Sequence, residues 1–133
     1  MALGAIRHHV VVEASADVVW DVVGNPARIA EWFPGIVGCE VVGSTRTITT
    51  ATGLTMPENI LINDPVLRRF QYQITLATFA FHRGTVDVLA LDDRHCIVVY
   101  STESDPRAMA MMIGAGAAKA LDIVKAMCEG ATR

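Results

Sequence analysis

Strand-like and helix-like periods divide the chain into an α+β order, with two short helical segments near the start and one long one at the end. Ile6 to Glu13 reads as a first strand. Ser15 then caps a short helix, Ala16 to Val23, which Gly24 stops. Asn25-Pro26 restarts a second helix that runs through Trp32, and Phe33-Pro34-Gly35 breaks it. From Ile36 to Thr102 the pattern is β-like with turn signals at close intervals. Gly43-Ser44 separates Val37–Val42 from Arg46–Ala51, Asp64-Pro65 separates Leu54–Asn63 from Leu67–Leu76, and Asp92-Asp93 separates Phe79–Leu91 from His95–Thr102. Successive hairpins predict an antiparallel meander that the first strand completes at one end.

The last segment, Asp105 to about Glu129, has a 3.6-residue period. Asp105-Pro106 is its start signal, an N-cap acceptor followed by proline at the first helical position. Met109, Met112, Ile113, Gly116, Ala120, Ile123, Val124 and Met127 form one apolar stripe, with Asp122, Lys125 and Glu129 opposite. A sheet with one apolar face must cover it, and this helix is the only large cover in the chain. At 1.5 Å per residue it would run about 37 Å, enough to cross the sheet. Its stripe mixes pliable methionines with Gly116 and Ala120. Small residues at mid-helix either let helix and sheet pack closely or leave room for something else, and methionine adapts to whatever fills that room. A twisted sheet curled round a helix, with two short helices closing one end, predicts an internal pocket.

Composition narrows the function classes. The chain has 133 residues, enough for one domain with a sizeable core or a core with a hollow in it. It is 52% hydrophobic and 19% charged, and its net charge of −3 without a basic cluster argues against nucleic acid as a partner. The longest charge-free apolar stretch, Ala108 to Ala118, is too short to cross a bilayer. The first residues lack a basic region followed by a hydrophobic run, so no signal peptide is expected. Cys39, Cys96 and Cys128 have no Cys-x-x-Cys spacing and read as reduced thiols in a cytoplasmic protein. Neither a metal site nor a cofactor is expected. His8 and His9 point to opposite faces of a strand, His82 and His95 lie near opposite ends of a hairpin, and no phosphate loop or Gly-x-Ser-x-Gly elbow occurs.

Several local motifs, in order, resemble the START-like superfamily, also called SRPBCC or the helix-grip fold, and within it the bacterial polyketide cyclase/dehydrase and lipid-transport branch. The first motif stands as Ala14-Ser15-Ala16-Asp17-Val18-Val19-Trp20-Asp21, then Asn25-Pro26-Ala27-Arg28, then Trp32-Phe33-Pro34-Gly35. The second is Glu58, Asp64-Pro65 and Arg68-Arg69-Phe70-Gln71-Tyr72, and the third is Gly84-Thr85-Val86. The resemblance covers almost the whole chain. It implies one START-like domain over residues 1–133, a curved sheet of about seven strands round the C-terminal helix, and a hydrophobic pocket for lipids, sterols, polyketides or similar molecules. It fixes no activity, because carriers and aromatase/cyclases share the fold.

Strand parity sorts candidate site residues onto the inner face. Phe70, Tyr72 and Ile74 share it, and Arg68 joins them by parity. Met56, Glu58, Ile60 and Ile62 form the inner set of the preceding strand, and Ala80, His82, Gly84, Val86 and Val88 that of the following one. On the last strand two faces are apolar, Cys96/Val98/Tyr100 and Ile97/Val99, and the Tyr100 face is favoured. Glu58, Arg68, Tyr72 and His82 are thus polar groups on a greasy surface, and buried they must be paired. One reading is a structural Glu58–Arg68 pair. The other is a pocket wall that orients a carbonyl, carboxylate or hydroxyl, with Tyr72, His82 and Arg68 as candidate catalytic groups. Trp20 reads as core, and Trp32 as core or as a gate at the pocket rim.

Three functions follow. The leading one is binding or carriage of a small hydrophobic ligand, lined by Trp32, Glu58, Ile60, Arg68, Phe70, Tyr72, His82, Val86, Val88, Tyr100, Met112, Gly116 and Ala120. The second is a polyketide cyclase/aromatase or dehydratase using the same polar groups. The third is a protein-interaction or regulatory module with a vestigial, collapsed pocket and an exposed apolar patch, for which Met111 is a hint. A homodimer stays open.

Overall fold

The computed structural model describes residues 2–131 of the chain. β1 (Gly4–Val12) leads into α1 (Ala16–Val23), a short 3₁₀ turn (Pro26–Arg28) and α2 (Ile29–Trp32). Six strands follow: β2 (Ile36–Val42), β3 (Thr45–Thr50), β4 (Thr55–Asp64), β5 (Arg69–Ile74), β6 (Phe81–Asp92) and β7 (His95–Asp105). α3 (Arg107–Ala131) closes the chain. The seven strands form one antiparallel sheet in the order β1-β7-β6-β5-β4-β3-β2, so the meander is intact and β1 completes it beside β7. This is the helix-grip architecture.

The local signals act as their chemistry requires. Ser15 Oγ accepts from the Val18 N–H at 3.2 Å, and Gly24 ends α1 with its N–H on the Trp20 carbonyl at 2.8 Å. Trp20 is only half-buried and lies against Gly24, where any side chain would run into the indole. Asn25 Oδ1 caps the 3₁₀ turn through the Ala27 N–H at 3.0 Å. Among the described residues no helix is long and apolar enough to cross a membrane. The three cysteines are free thiols.

Two expectations about α3 need correction. Asp105 is not its N-cap: β7 runs through Asp105, which pairs with Phe81 and accepts from the Ala80 N–H at 2.8 Å. The chain turns at Pro106, whose carbonyl takes Ser104 Oγ at 2.9 Å and the Met109 N–H at 3.2 Å, and the helix starts at Arg107. Sheet pairing outcompeted the cap. The buried stripe keeps Ala120 and Val124 of the expected set but is rotated otherwise: Ala110, Gly114, Ala117, Leu121 and Cys128 are buried with them, while Met112 is 70% exposed. The cause is close packing on β1 and β7, against which the helix chiefly rests instead of spanning the sheet. A Cβ on Gly114 would sit 2.8 Å from Ile6 Cδ1, and one on Gly4 would fall 2.7 Å from the Arg107 Cα. Only the smallest residues permit that approach.

The remaining strands are not left bare. Phe70, Val86, Val88, Cys96 and Val98 are buried with Val12, Val19, Val23 and Leu121 in a core between α1, α3 and the sheet. The convex face carries ion pairs, Arg69–Asp87 at 2.8 Å and Arg83–Glu103 at 2.7 Å. Beyond α3, the sheet curls over β2 to β5 and leaves a hollow.

Candidate functional site

The hollow is a cavity of about 350 Å³. Ile48 and Thr50 of β3, Met56 of β4, Ile74 of β5 and Ile36 of β2 form its sheet wall. Ile29, Phe33, Pro34 and Gly35 close it from the α2 side, and Met112, Ile113 and Gly116 from α3. Its mouth lies among exposed residues, Pro34, Gly35, Ala51, Thr52 and Met112. A backbone bond from the Ala51 N–H to the Gly35 carbonyl, 2.8 Å, ties the β3–β4 turn to the loop after α2 there.

Besides Thr50 and Thr52, whose hydroxyls bond each other at 2.9 Å, four buried polar side chains reach this wall, in two pairs. Arg46 and Glu58 are direct cross-strand partners on β3 and β4. Arg46 Nε donates to Glu58 Oε1 at 2.6 Å, and both side chains are 3% exposed. Arg46 Nη1 also donates to the Pro26 carbonyl at 3.2 Å, and its guanidinium lies 5.0 Å from the Phe70 ring and 5.1 Å from the Tyr72 ring. Burial pushes the Glu58 carboxyl above its ordinary range even with Arg46 pulling the other way. The bond from Arg46 takes Oε1 of this carboxylate, and Oε2 is its second acceptor oxygen.

The second pair is Tyr72 and Tyr100, whose hydroxyls are hydrogen-bonded to each other. Burial pushes the Tyr100 hydroxyl up to about 12 and the Tyr72 hydroxyl well above the usual phenol range, so both are neutral donors at physiological pH. Gly84 makes room for this arrangement: a Cβ there would sit 2.5 Å from the Tyr72 ring. The missing side chain accommodates tyrosine, not a ligand.

The sequence-predicted residues divide accordingly. Glu58, Tyr72, Tyr100, Met112 and Gly116 stand around the cavity. Phe70, Val86, Val88 and Ala120 are buried in the core beside it, and Ile60 packs against that core. Trp32 is 3% exposed and lies behind Phe33 and Tyr100, 6.1 Å from each ring, so Phe33 takes the position expected for a gate.

Arg68 is corrected outright. Asp64 Oδ1 accepts from the Val66 and Leu67 N–H groups at 2.9 and 3.0 Å, and Arg68 then takes φ +57°. β5 begins one residue later, so strand parity never reached Arg68. Its side chain turns outward to Asp17 at 2.8 Å. The expected Glu58–Arg68 pair is therefore Glu58–Arg46. Arg46 was legible: Ile48 marks the inner face of β3, and Arg46 precedes it by two.

His82 is fully buried but does not line the cavity. Its Nδ1 accepts from the Ile74 N–H at 3.0 Å, which places the ring proton on Nε2. Phe79 and Tyr72 pack on the ring at 5.2 and 5.5 Å, and burial lowers its pKa to about 4. Among the described residues, no group of three or more His, Cys, Asp or Glu is arranged to hold a metal ion.

Comparison with known proteins agrees with this geometry. Residues 4–129 match the family described as polyketide cyclase / dehydrase and lipid transport. The search of curated proteins gave no match. Among solved structures, XoxI from Bacillus cereus superposes with a TM-score of 0.88 at 15% identity, over 98% of this chain and 99% of that one. The Zhui aromatase/cyclase from Streptomyces sp. R1128 gives 0.77 at 19% identity, over 99% and 97%. Norcoclaurine synthase from Thalictrum flavum, in complex with dopamine and hydroxybenzaldehyde, gives 0.72 at 21% identity, over 95% and 86%. At these identities the likeness is one of fold.

Proposed function

The chain belongs to the polyketide cyclase/dehydrase and lipid transport family, and we propose that it binds and carries a small hydrophobic molecule in the cavity under β3 to β5. Membership supports a ligand-binding or a polyketide cyclase role. Carriage is favoured by one observation: every ionisable side chain in the cavity wall is already tied to another. Arg46 holds Glu58, and Tyr72 holds Tyr100. His82, on the inner face of β6, is turned away from the cavity, onto a backbone N–H. Carriage needs only apolar wall area, at about 25 cal/mol per Å² buried. Proton shuttling needs a group that titrates near neutral pH within reach of the ligand.

Native mass spectrometry of the purified protein, followed by organic extraction, tests this reading. The expected result is a co-purified or added apolar molecule at one per chain. A protein that is empty and refuses an apolar fluorescent probe overturns it and favours the interaction module, although an open cavity is not what a vestigial pocket predicts.

The second reading is a cyclase or dehydratase. The Tyr72–Tyr100 pair and Oε2 of Glu58 favour it, since both face the cavity. The cyclase in this fold and the synthase holding two small ring compounds are consistent with it. It predicts that Tyr72→Phe abolishes turnover while affinity survives. Carriage predicts that affinity depends on cavity shape, and that Gly116→Leu, which drives into Phe33, ends it.

A further inference from the structure

We infer that the cavity selects a compact, uncharged ring compound bearing a hydroxyl group, and rejects long-chain lipids and charged ligands. The inference rests on the reading that the cavity binds a ligand, and it adds the chemical class.

Size comes first. A dry cavity of about 150 Å³ holds one benzene, or roughly 25 Å³ per non-hydrogen atom. At that packing, a cavity of about 350 Å³ takes about 14 such atoms. That is one ring with a short substituent or two fused rings. A sterol or a fatty acyl chain of membrane length would have to leave much of its body in water outside Met112 and Pro34. Phe33, Tyr72 and Tyr100 present ring faces and edges to the interior, which suits a planar occupant.

Charge comes second. Arg46 and Glu58 neutralise each other at 2.6 Å, and no further cation or carboxylate lines the cavity. A ligand carboxylate would add a second negative charge beside Glu58, and a ligand ammonium a second positive charge beside Arg46. Either leaves one uncompensated charge in a desolvated site.

Hydrogen bonding comes third. The bond from Arg46 uses Oε1 of Glu58, which leaves Oε2 as an acceptor oxygen on the wall. In the Tyr72–Tyr100 pair only one proton lies between the oxygens, so the accepting tyrosine keeps an O–H for a further partner. Between the two pairs the wall thus sets an acceptor beside a donor, while the Thr50 and Thr52 hydroxyls bond each other at 2.9 Å. A single hydroxyl, which donates and accepts at once, meets both. A carboxylate only accepts, and an alkane does neither.

The test is calorimetric titration of the intact protein, at neutral pH, with 2-naphthol, naphthalene, 2-naphthoate, 2-naphthylmethylammonium and palmitate. The expected order places 2-naphthol about tenfold or more ahead of naphthalene. Both charged naphthyl compounds and palmitate should follow more weakly still. In the double variant Arg46→Met/Glu58→Leu, which removes acceptor and charge together, the advantage of 2-naphthol should fall to less than about threefold. Tighter binding of palmitate or of either charged probe overturns the inference and leaves the carriage reading standing. So does a 2-naphthol advantage that survives in the double variant. If no probe binds at all, the carriage reading fails and takes the inference with it.

Discussion

Over β1 and β7 the sheet lies under a helix whose first half meets it with Ala110, Gly114 and Ala117, whereas over β3 to β5 it faces a hollow edged by the flank of that helix and by Phe33. The strands on both sides belong to one continuous ladder and carry the same alternation of inward and outward residues. The difference lies in the cover. Small residues at Ala110, Gly114 and Ala117 draw α3 so close to β1 that it cannot also reach β4, and the sheet's curl carries β3 to β5 away from it. A cavity forms where the cover ends. The polar residues differ too: β6 and β7 bury His82, Thr85, Thr102 and Ser104, while the hollow is walled by the buried Arg46–Glu58 pair and by the bonded hydroxyls of Tyr72 and Tyr100.

Removing one partner of the hollow half's ion pair should have the largest effect of any change considered. Glu58→Leu leaves the Arg46 guanidinium buried against Phe70 and Tyr72 with a charge and no counter-ion. We expect a loss of about 3–5 kcal/mol, read by urea denaturation. The double replacement Arg46→Met/Glu58→Leu should recover most of it, because apolar residues of similar volume do without the desolvation cost. A double variant as unstable as the single one would mean that the pair itself holds the sheet's curl.

On β6, between the two regions, the corresponding weak point is His82. Its pKa is lowered to about 4, against an ordinary 6.5. Between those values the unfolded chain binds a proton that the folded one refuses. Stability is therefore fully present above pH 6.5 and is lost as pH falls toward 4, by about 3 kcal/mol. His82→Leu should be less stable at neutral pH, since the Ile74 N–H loses its acceptor. Its stability should nevertheless be flatter across that pH window. An unchanged acid limb in the variant would place the titrating group elsewhere. Ligand binding should survive the substitution, because the ring does not touch the cavity.

Most of the fold was legible because turn chemistry and alternation are local. The Asp92-Asp93 turn and the Cys96–Val98–Tyr100 face required nothing beyond neighbouring residues. What was not legible depended on contacts between distant segments. The stripe on α3 looked centred on Gly116 because methionine counts as apolar, yet Gly114 set the rotation by meeting Ile6 across the fold. Asp105 had the chemistry of a cap and was claimed by Ala80 and Phe81 instead. In the site, Glu58 and Tyr72 followed from parity, and Arg46 was open to the same argument through Ile48, whereas Arg68 called for seeing that an Asx turn breaks the strand before it.

The two glycines on α3 put the comparison to a smaller and sharper test. Gly114→Ala drives a methyl into Ile6 on the covered half, where nothing can yield, and should cost about 1–3 kcal/mol. Gly116→Ala places its methyl 3.0 Å from the rim of Phe33, which borders the hollow and can swing into it. There the helix-propensity gain of up to about 1 kcal/mol should offset the contact and leave stability unchanged or raised. Equal losses at both sites, by thermal or urea melts, would show that the hollow half is as tightly packed as the other.

The smallest effect is expected at Arg68, and it separates a surface role from an inward one. The residue holds φ +57°, a conformation that glycine adopts without the steric cost of a Cβ. Its bond to Asp17 spans a side chain 28% exposed and one 83% exposed, so the ion pair contributes less than about 1 kcal/mol. Arg68→Gly should therefore be neutral or stabilising by up to about 1 kcal/mol. It should also leave uptake of an apolar probe unchanged, because the guanidinium lies on the far side of the turn from the cavity wall. A marked loss of binding in a variant that melts at the same temperature would return Arg68 to the inner face that parity alone assigned to it.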